Sequence, residues 1–272
     1  MLRKNALLSS IVALLLASTL SAPGANLMNR ETWDPLTTGQ PTDPFNTTAN
    51  SNWDMVNNSY SATANPYIAN GPPDPYLTSG NYSLRLRTEG AVTRDLGSVP
   101  NLSAVDNAVT FKFRVYWLGR SSVANVNTRL TLTEQNSTVE GLGGDYLRVT
   151  VVNYFESDRV DLIALIGNAQ GQVTIHTWDA ADADPPNVGD YVDCVVTFAR
   201  TTDGVNINST LSVNGTPITP DTPSGSITGT PLLGQYLRLS FARQQPQNNI
   251  GLDNIELDDN PVPVEVSAFS IE

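Results

Sequence analysis

The sequence predicts an all-β fold of antiparallel strands, on three observations. Between Tyr82 and Leu257, apolar and polar residues alternate in short runs. Turn pairs such as Asp203-Gly204 and Asn214-Gly215 separate the runs. No stretch sustains a helical period. Many short alternating strands with turn signals between them close into a sandwich or a barrel.

Residues 1–25 have the layout of a signal peptide. Arg3 and Lys4 form a basic start, Leu7 to Leu20 an apolar run, and Ser21 to Ala25 a small-residue cleavage zone. The run is short for a spanning helix, and no later stretch is long enough to cross a membrane once the leader is removed. The expected compartment is secreted or cell-surface. Residues 26–81 are rich in Pro, Asn, Thr and Gly. Pro35, Pro41, Pro44, Pro66 and Pro72 break any long element there. That segment predicts loop, with short strands near Glu31-Thr32-Trp33 and Tyr67-Ile68. A loop so long is either functional or wraps the domain.

The strands then follow in order. Tyr82–Thr88 carries Leu84 and Leu86 on one side and Arg85 and Arg87 on the other. Ala91–Leu96 comes next. Val109–Leu118 sets Phe111, Phe113 and Val115 against Lys112, Arg114 and Tyr116. Thr128–Glu134, Tyr146–Phe155, Arg159–Ile166 and Gln172–Trp178 continue the set. Asp190–Thr201 and Ile207–Val213 flank Asp203-Gly204, and Tyr236–Arg243 and Ile250–Leu257 close it. Successive side chains of a strand point to opposite faces, so each alternation sorts a core side from an outer side.

The formal charge of −12 argues against nucleic acid as a partner, since phosphate must be neutralised by cations. It also argues against an anionic membrane surface. Beyond the leader, Lys112 is the one lysine and every other basic residue is arginine. Arginine presents a planar fork suited to carboxylates; codon bias explains the same usage. Cys194 is the sole cysteine, so no internal disulfide forms. It shares parity with Val192, Val196 and Phe198, which points it into the core as a small hydrophobe.

Two strands share one plan. Tyr146-Leu147-Arg148-Val149-Thr150 and Tyr236-Leu237-Arg238-Leu239-Ser240 each put Tyr, Arg and a hydroxyl on one face. Arg114 with Tyr116, and Arg85, offer the same chemistry elsewhere. If these strands are neighbours, Arg85, Arg114, Tyr116, Tyr146, Arg148, Tyr236 and Arg238 line the outer face of one sheet. Tyr supplies a flat apolar platform with a polar tip, and Arg a bidentate clamp. Such a face suits a polysaccharide or surface glycan, acidic sugars above all. The competing reading is a solvated sheet face with routine cross-strand ion pairs. Trp117, Tyr154, Phe155 and Trp178 form a second aromatic candidate set.

Catalytic signatures are scarce. His176 is the only histidine, so any histidine-based catalysis uses it. No Gly-x-Ser-x-Gly elbow, phosphate loop or zinc ligand set accompanies it.

The stretch Asn248–Asp258, with Leu252-Asp253-Asn254-Ile255-Glu256-Leu257 at its centre, resembles the last strand of concanavalin A-like lectin, glucanase and carbohydrate-binding-module jelly rolls. Gly189–Thr216 is similar to the laminin-G-type hairpin of the same class. The resemblance covers residues 26–259 at the level of strand order. It implies a two-sheet antiparallel jelly-roll sandwich. It also implies a structural Ca²⁺ held by the last-strand Asp253 with N-terminal oxygens, for which Glu31 and Asp34 are the candidates. Glucanases of the class place catalytic carboxylates as Glu-x-Asp-x-x-Glu; Glu256-Leu257-Asp258-Asp259-Asn260 lacks the final Glu. Thr174-Ile175-His176 is similar to the Gln-x-His strand of jelly-roll alginate lyases, with Thr in place of Gln. Residues 260–272 resemble the proline-containing linkers that introduce a further module in secreted bacterial proteins, and read equally as an ordinary terminal strand. The expectation is a secreted, non-catalytic carbohydrate-binding or surface module. The alternatives are a polysaccharide lyase or glycosidase, with His176 as the catalytic candidate, and a structural or adhesive extracellular protein.

Overall fold

The structure, a computed structural model, describes residues 25–31, 54–55, 67–69, 83–85, 91–117, 126–134, 146–154, 159–167, 171–179, 189–242 and 250–259. The described strands are β1 (Ala25–Glu31), β2 (Asp54–Met55), β3 (Tyr67–Ala69), β4 (Ser83–Arg85), β5 (Ala91–Asp95), β6 (Ala108–Trp117), β7 (Val126–Thr133) and β8 (Leu147–Asn153). They continue as β9 (Val160–Ile166), β10 (Gln172–Trp178), β11 (Tyr191–Arg200), β12 (Gly204–Val213), β13 (Thr216–Ile218), β14 (Ser224–Thr228), β15 (Tyr236–Ala242) and β16 (Ile250–Asp259). Among the described residues there is no helix, and none long and apolar enough to cross a membrane.

The strands form two antiparallel sheets, which is the jelly-roll sandwich the sequence predicts. The larger runs β13-β12-β11-β6-β16-β4-β3, with β1 beside β16 and β14 beside β12. The smaller runs β10-β9-β8-β7-β15-β5-β2. The chain changes sheet repeatedly, so every β-face can lay its apolar residues on the opposite layer. From the larger sheet Phe111, Phe113, Val115, Val196, Phe198 and Ile207 enter the core. From the smaller come Leu130, Leu132, Val149, Leu162, Leu237 and Leu239. Phe111 and Phe198 meet edge to face at 5.7 Å, a pairing worth about 1 kcal/mol beyond its buried area. Cys194 is in this core, and burial pushes its thiol well above the usual range.

β16 has an irregularity that its sequence announces. Ile250 and Leu252 share one parity and Ile255 and Leu257 the other, yet all four are buried. A bulge between Asp253 and Glu256 opposite β6 absorbs the extra residue. Asn254 takes the left-handed conformation there, at φ 51°. Both apolar pairs thereby face inward, while Asp253, Glu256 and Asp258 fall on the outer side.

The strand expected near Glu31–Trp33 lies slightly earlier, at β1, and pairs with β16. β2, β13 and β14 are additions to the expected set. β13 follows from the Asn214-Gly215 turn, whose φ values of 50° and 80° suit a tight hairpin. β14, Ser-Gly-Ser-Ile-Thr, has little strand propensity and is held by pairing with β12. At Gly234, just before β15, an added Cβ would fall 1.8 Å from the Thr133 backbone. Glycine is what lets the chain pass that close to β7.

Candidate functional site

β8 and β15, the two strands with the shared Tyr-Leu-Arg plan, lie on either side of β7 in the smaller sheet. Leu130, Leu132, Val149, Leu237 and Leu239 go to the core, so the alternate residues form the outer face. One row across it reads Thr93, Arg238, Thr131, Arg148. The next reads Ser240, Arg129, Thr150. In the other direction Tyr236 pairs with Thr133, and Tyr146 stands two residues before Arg148 on the same face. Rows are roughly 7 Å apart and neighbouring strands about 4.8 Å, so the arginines are within reach of a single ligand.

This brings together Tyr146, Arg148, Tyr236 and Arg238. It also adds Arg129 and Thr131, which the sequence reading did not single out. The signal was present: in Asn127-Thr128-Arg129-Leu130-Thr131-Leu132-Thr133 the odd positions are polar and Leu130 and Leu132 apolar, as in the two strands that flank it.

The face is polar and buried at once. Thr93, Thr131, Thr133, Arg148, Thr150, Asp161, Arg238 and Ser240 are all buried. A sheet with one side on the core ordinarily gives the other to water; here the polar side is buried as well. Arg148 is 7% exposed. Among the described residues it makes one hydrogen bond, from Nε to Thr131 Oγ1 at 3.3 Å. Burial, then the like charges of Arg129 and Arg238, push it down to about 10. It is still a cation at neutral pH. Thr150 is 5% exposed, and its Oγ1 is buried without a hydrogen bond.

One end of the same face is fully matched. Asp161 accepts two hydrogen bonds from Arg159, at 2.9 and 2.8 Å, one from Tyr154 Oη at 2.8 Å and one from Thr177 Oγ1 at 3.0 Å. Burial works to raise its carboxyl, but those donors outweigh it and hold it below the ordinary carboxylate value.

Arg114 and Tyr116 lie instead on the larger sheet, and the register puts Arg85 there too, opposite Gly251. The expectation of one shared surface for all seven residues is corrected: they divide between two sheets. Arg114 donates to both oxygens of Asp193, at 2.7 and 3.0 Å, and lies 4.0 Å over the Tyr191 ring. Burial opposes its charge, and the Asp193 bonds outweigh it and hold the guanidinium above its usual value. Tyr116 is buried, which pushes its phenol up. Lys112 reaches Glu256 at 2.7 Å and Asp258 at 2.6 Å.

His176 pairs with the core residue Leu162 across a bulge in β10. That places it on the core side of its sheet, away from Arg148 and Arg238. Its ring meets Trp178 edge on at 4.5 Å, and Nδ1 accepts from the Asp221 backbone N–H at 3.3 Å. These contacts fasten the 219–223 loop to the edge of the smaller sheet; Thr222 N–H to Ile175 O, at 2.9 Å, adds to them. In the second aromatic set, Trp178 is in the core and Tyr154 lies under Arg159 at 4.8 Å. The Trp117 side chain and Phe155 lie outside the described residues.

For calcium, β1 beside β16 puts Glu31 opposite Ile255, two residues from Asp253. Asp253 is buried opposite Arg114. Asp34 lies outside the described residues. Among the described residues no three acidic, His or Cys side chains gather as a metal set.

No family model matches the chain, and no curated protein matches it in sequence. Its fold is similar to that of several solved structures. An endo-1,3-beta-glucanase from Streptomyces sioyaensis shares 10% identity at a TM-score of 0.49, over 88% of this chain and 97% of that one. The CBM2 module of the Lactobacillus casei BL23 phage J-1 evolved Dit shares 12% at 0.48, over 80% and 94%. The catalytic domain of a glycoside hydrolase family 131 protein from Coprinopsis cinerea shares 13% at 0.47, over 86% and 96%. At such identities these are likenesses of architecture.

Proposed function

We propose that this protein is a secreted, non-catalytic carbohydrate-binding module, and that the outer face of β15, β7 and β8 is its binding surface. One observation carries the reading. Two Tyr/Arg/hydroxyl strands, separated in sequence by almost ninety residues, flank a third strand of the same chemistry and present Tyr146, Arg148, Tyr236, Arg238, Arg129 and Thr131 on one side. Arginine and hydroxyl side chains on a sheet face cost desolvation that apolar residues would not. A sugar takes hydrogen bonds from guanidinium and hydroxyl groups and stacks on tyrosine.

The test is affinity electrophoresis on a panel of plant, algal and microbial polysaccharides. Retention should occur on at least one, without new unsaturated ends absorbing in the ultraviolet. Tyr236→Ala should weaken retention about tenfold, the cost of one lost stacking contact, and Arg114→Ala should leave it unchanged. Cleavage products would make the protein a lyase or glycosidase. Loss of binding in Arg114→Ala would move the site to the larger sheet.

Calcium bound through Asp253 and Glu31 is a separate proposal, supported by the pairing of β1 with β16. Chelation by EGTA should then lower the melting temperature, and an unchanged one ends it.

A further inference from the structure

Independently of the glycan face, we propose that the space between the two layers beside Trp178 is a second binding site. Its ligand is a small molecule with an apolar body and one acceptor oxygen, of the ketone or ether class. Two observations carry this. The first is unfilled volume. Val115 of β6 and Val192 of β11, from the larger sheet, border a cavity with Val151 of β8, Val160 of β9 and Trp178 of β10, from the smaller. Four of these are valines, too short to meet across stacked sheets about 10 Å apart. The centre of a water-sized sphere can move through about 20 Å³ of the cavity, more than a single water requires.

The second observation is an orphan donor on the same wall. Trp178 is 4% exposed, and its Nε1 is buried without a hydrogen bond. A buried indole N–H ordinarily finds a partner, and leaving it unpaired costs its desolvation. Water meets that need poorly, because a buried water takes several polar partners. Beyond the indole, the lining offers only the Cys194 thiol, which is turned to the Val192 carbonyl at 3.9 Å. A molecule with one acceptor pairs with the N–H and turns its remaining atoms to the valines. The position of the cavity gives a route in. Val115 and Val151 stand two residues before the ends of β6 and β8, Val160 opens β9, Trp178 closes β10 and Val192 is second in β11. The lining thus gathers at one end of the sandwich, where strand ends open locally at less cost than the whole domain.

Nuclear magnetic resonance on the isotope-labelled full chain tests this with three probes: xenon, isobutene and acetone, the last two alike in shape and different in the acceptor. Xenon should shift the methyl signals of Val115, Val151, Val160 and Val192 in a saturable way. Acetone should shift those signals and also the Trp178 indole N–H signal, which is identified by its loss in Trp178→Phe. That variant should weaken acetone about tenfold relative to isobutene, as expected when a buried acceptor loses its donor. Val151→Ile adds one methylene to the cavity. It should weaken all three probes at least about tenfold and melt no lower than wild type, because it fills space rather than crowding it. No saturable methyl shift with xenon overturns the cavity. Methyl shifts with acetone and an unmoved indole signal overturn the acceptor chemistry, and with it the ligand class. A lower melting temperature in Val151→Ile shows that the space is already packed and overturns the site. Undiminished xenon binding in that variant does the same.

Discussion

The outer faces of the two sheets hold similar residues in opposite circumstances. On the outer face of the larger sheet Lys112 meets Glu256 and Asp258, and Arg114 meets Asp193, in cross-strand register, while Arg200 at the end of β11 donates to the Gly204 carbonyl and the Thr230 hydroxyl. The groups are partly wet, with Arg114 at 23% and Asp193 at 37% side-chain exposure. On the smaller sheet Arg148 is buried and held by a threonine hydroxyl. Partly exposed pairs of this kind contribute little stability and set register. A buried cation opposite a hydroxyl has no comparable structural explanation. An Arg/Tyr strand pattern therefore does not by itself mark a site: Arg114 meets an acid across the strands and Arg148 a hydroxyl.

The smaller sheet contains its own control, and the largest expected effect is there. Asp161 is buried like Arg148 but fully matched by Arg159, Tyr154 and Thr177. Asp161→Asn leaves those donors imperfectly satisfied and should cost about 3 kcal/mol in urea unfolding at pH 7. The folded carboxyl is lowered below its unfolded value. Its contribution is thus fully present above the unfolded value and is lost as pH falls through the folded one. The gap between wild type and variant should close on acidification below pH 4. A pH-independent gap would mean that shape, not charge, holds this end of the face.

Tyr154→Phe removes one of the donors to Asp161, together with a hydroxyl whose loss leaves the ring under Arg159 in place. It should cost about 1 kcal/mol. A larger loss than that of Asp161→Asn would show that the ring, not the network, fixes this corner.

Nearly all of the architecture was legible in alternation. The expected runs from Ala91–Leu96 to Ile250–Leu257 coincide with strands to within a few residues, because burial on one side of a sheet writes a period of two into the chain. β13 and β14 were not, since Thr-Pro-Ile and Ser-Gly-Ser-Ile-Thr have little alternation, and pairing with β12 decides their state. The candidate site was half legible. Tyr146, Arg148, Tyr236 and Arg238 share a face, as the repeated plan implies. Alternation fixes a residue's side but not its sheet, so Arg85, Arg114 and Tyr116 could be sorted only by strand order. Nor does alternation tell which outer face is covered; that depends on tertiary packing. The hydrogen bonds of His176 to the 219–223 loop were equally out of reach, because a bulge reverses its side.

The smallest effects belong to the larger sheet. A double-mutant cycle on Arg114→Ala and Asp193→Ala should give a coupling of about 0.5–1 kcal/mol, discounted for the exposure of the pair. Lys112→Met should cost about 1 kcal/mol near neutral pH, within the range of exposed networks. Hydrogen bonds donated to Asp258, then to Glu256, raise the Lys112 ammonium above its ordinary value. That contribution is complete below the unfolded value of 10.5 and fades as pH climbs through the folded one. Wild type and Lys112→Met should therefore converge in alkaline unfolding curves. Neither substitution should change saccharide binding. A change in affinity with either would show that matched acids do not silence an arginine or lysine face, and the contrast between the two sheets would lose its meaning.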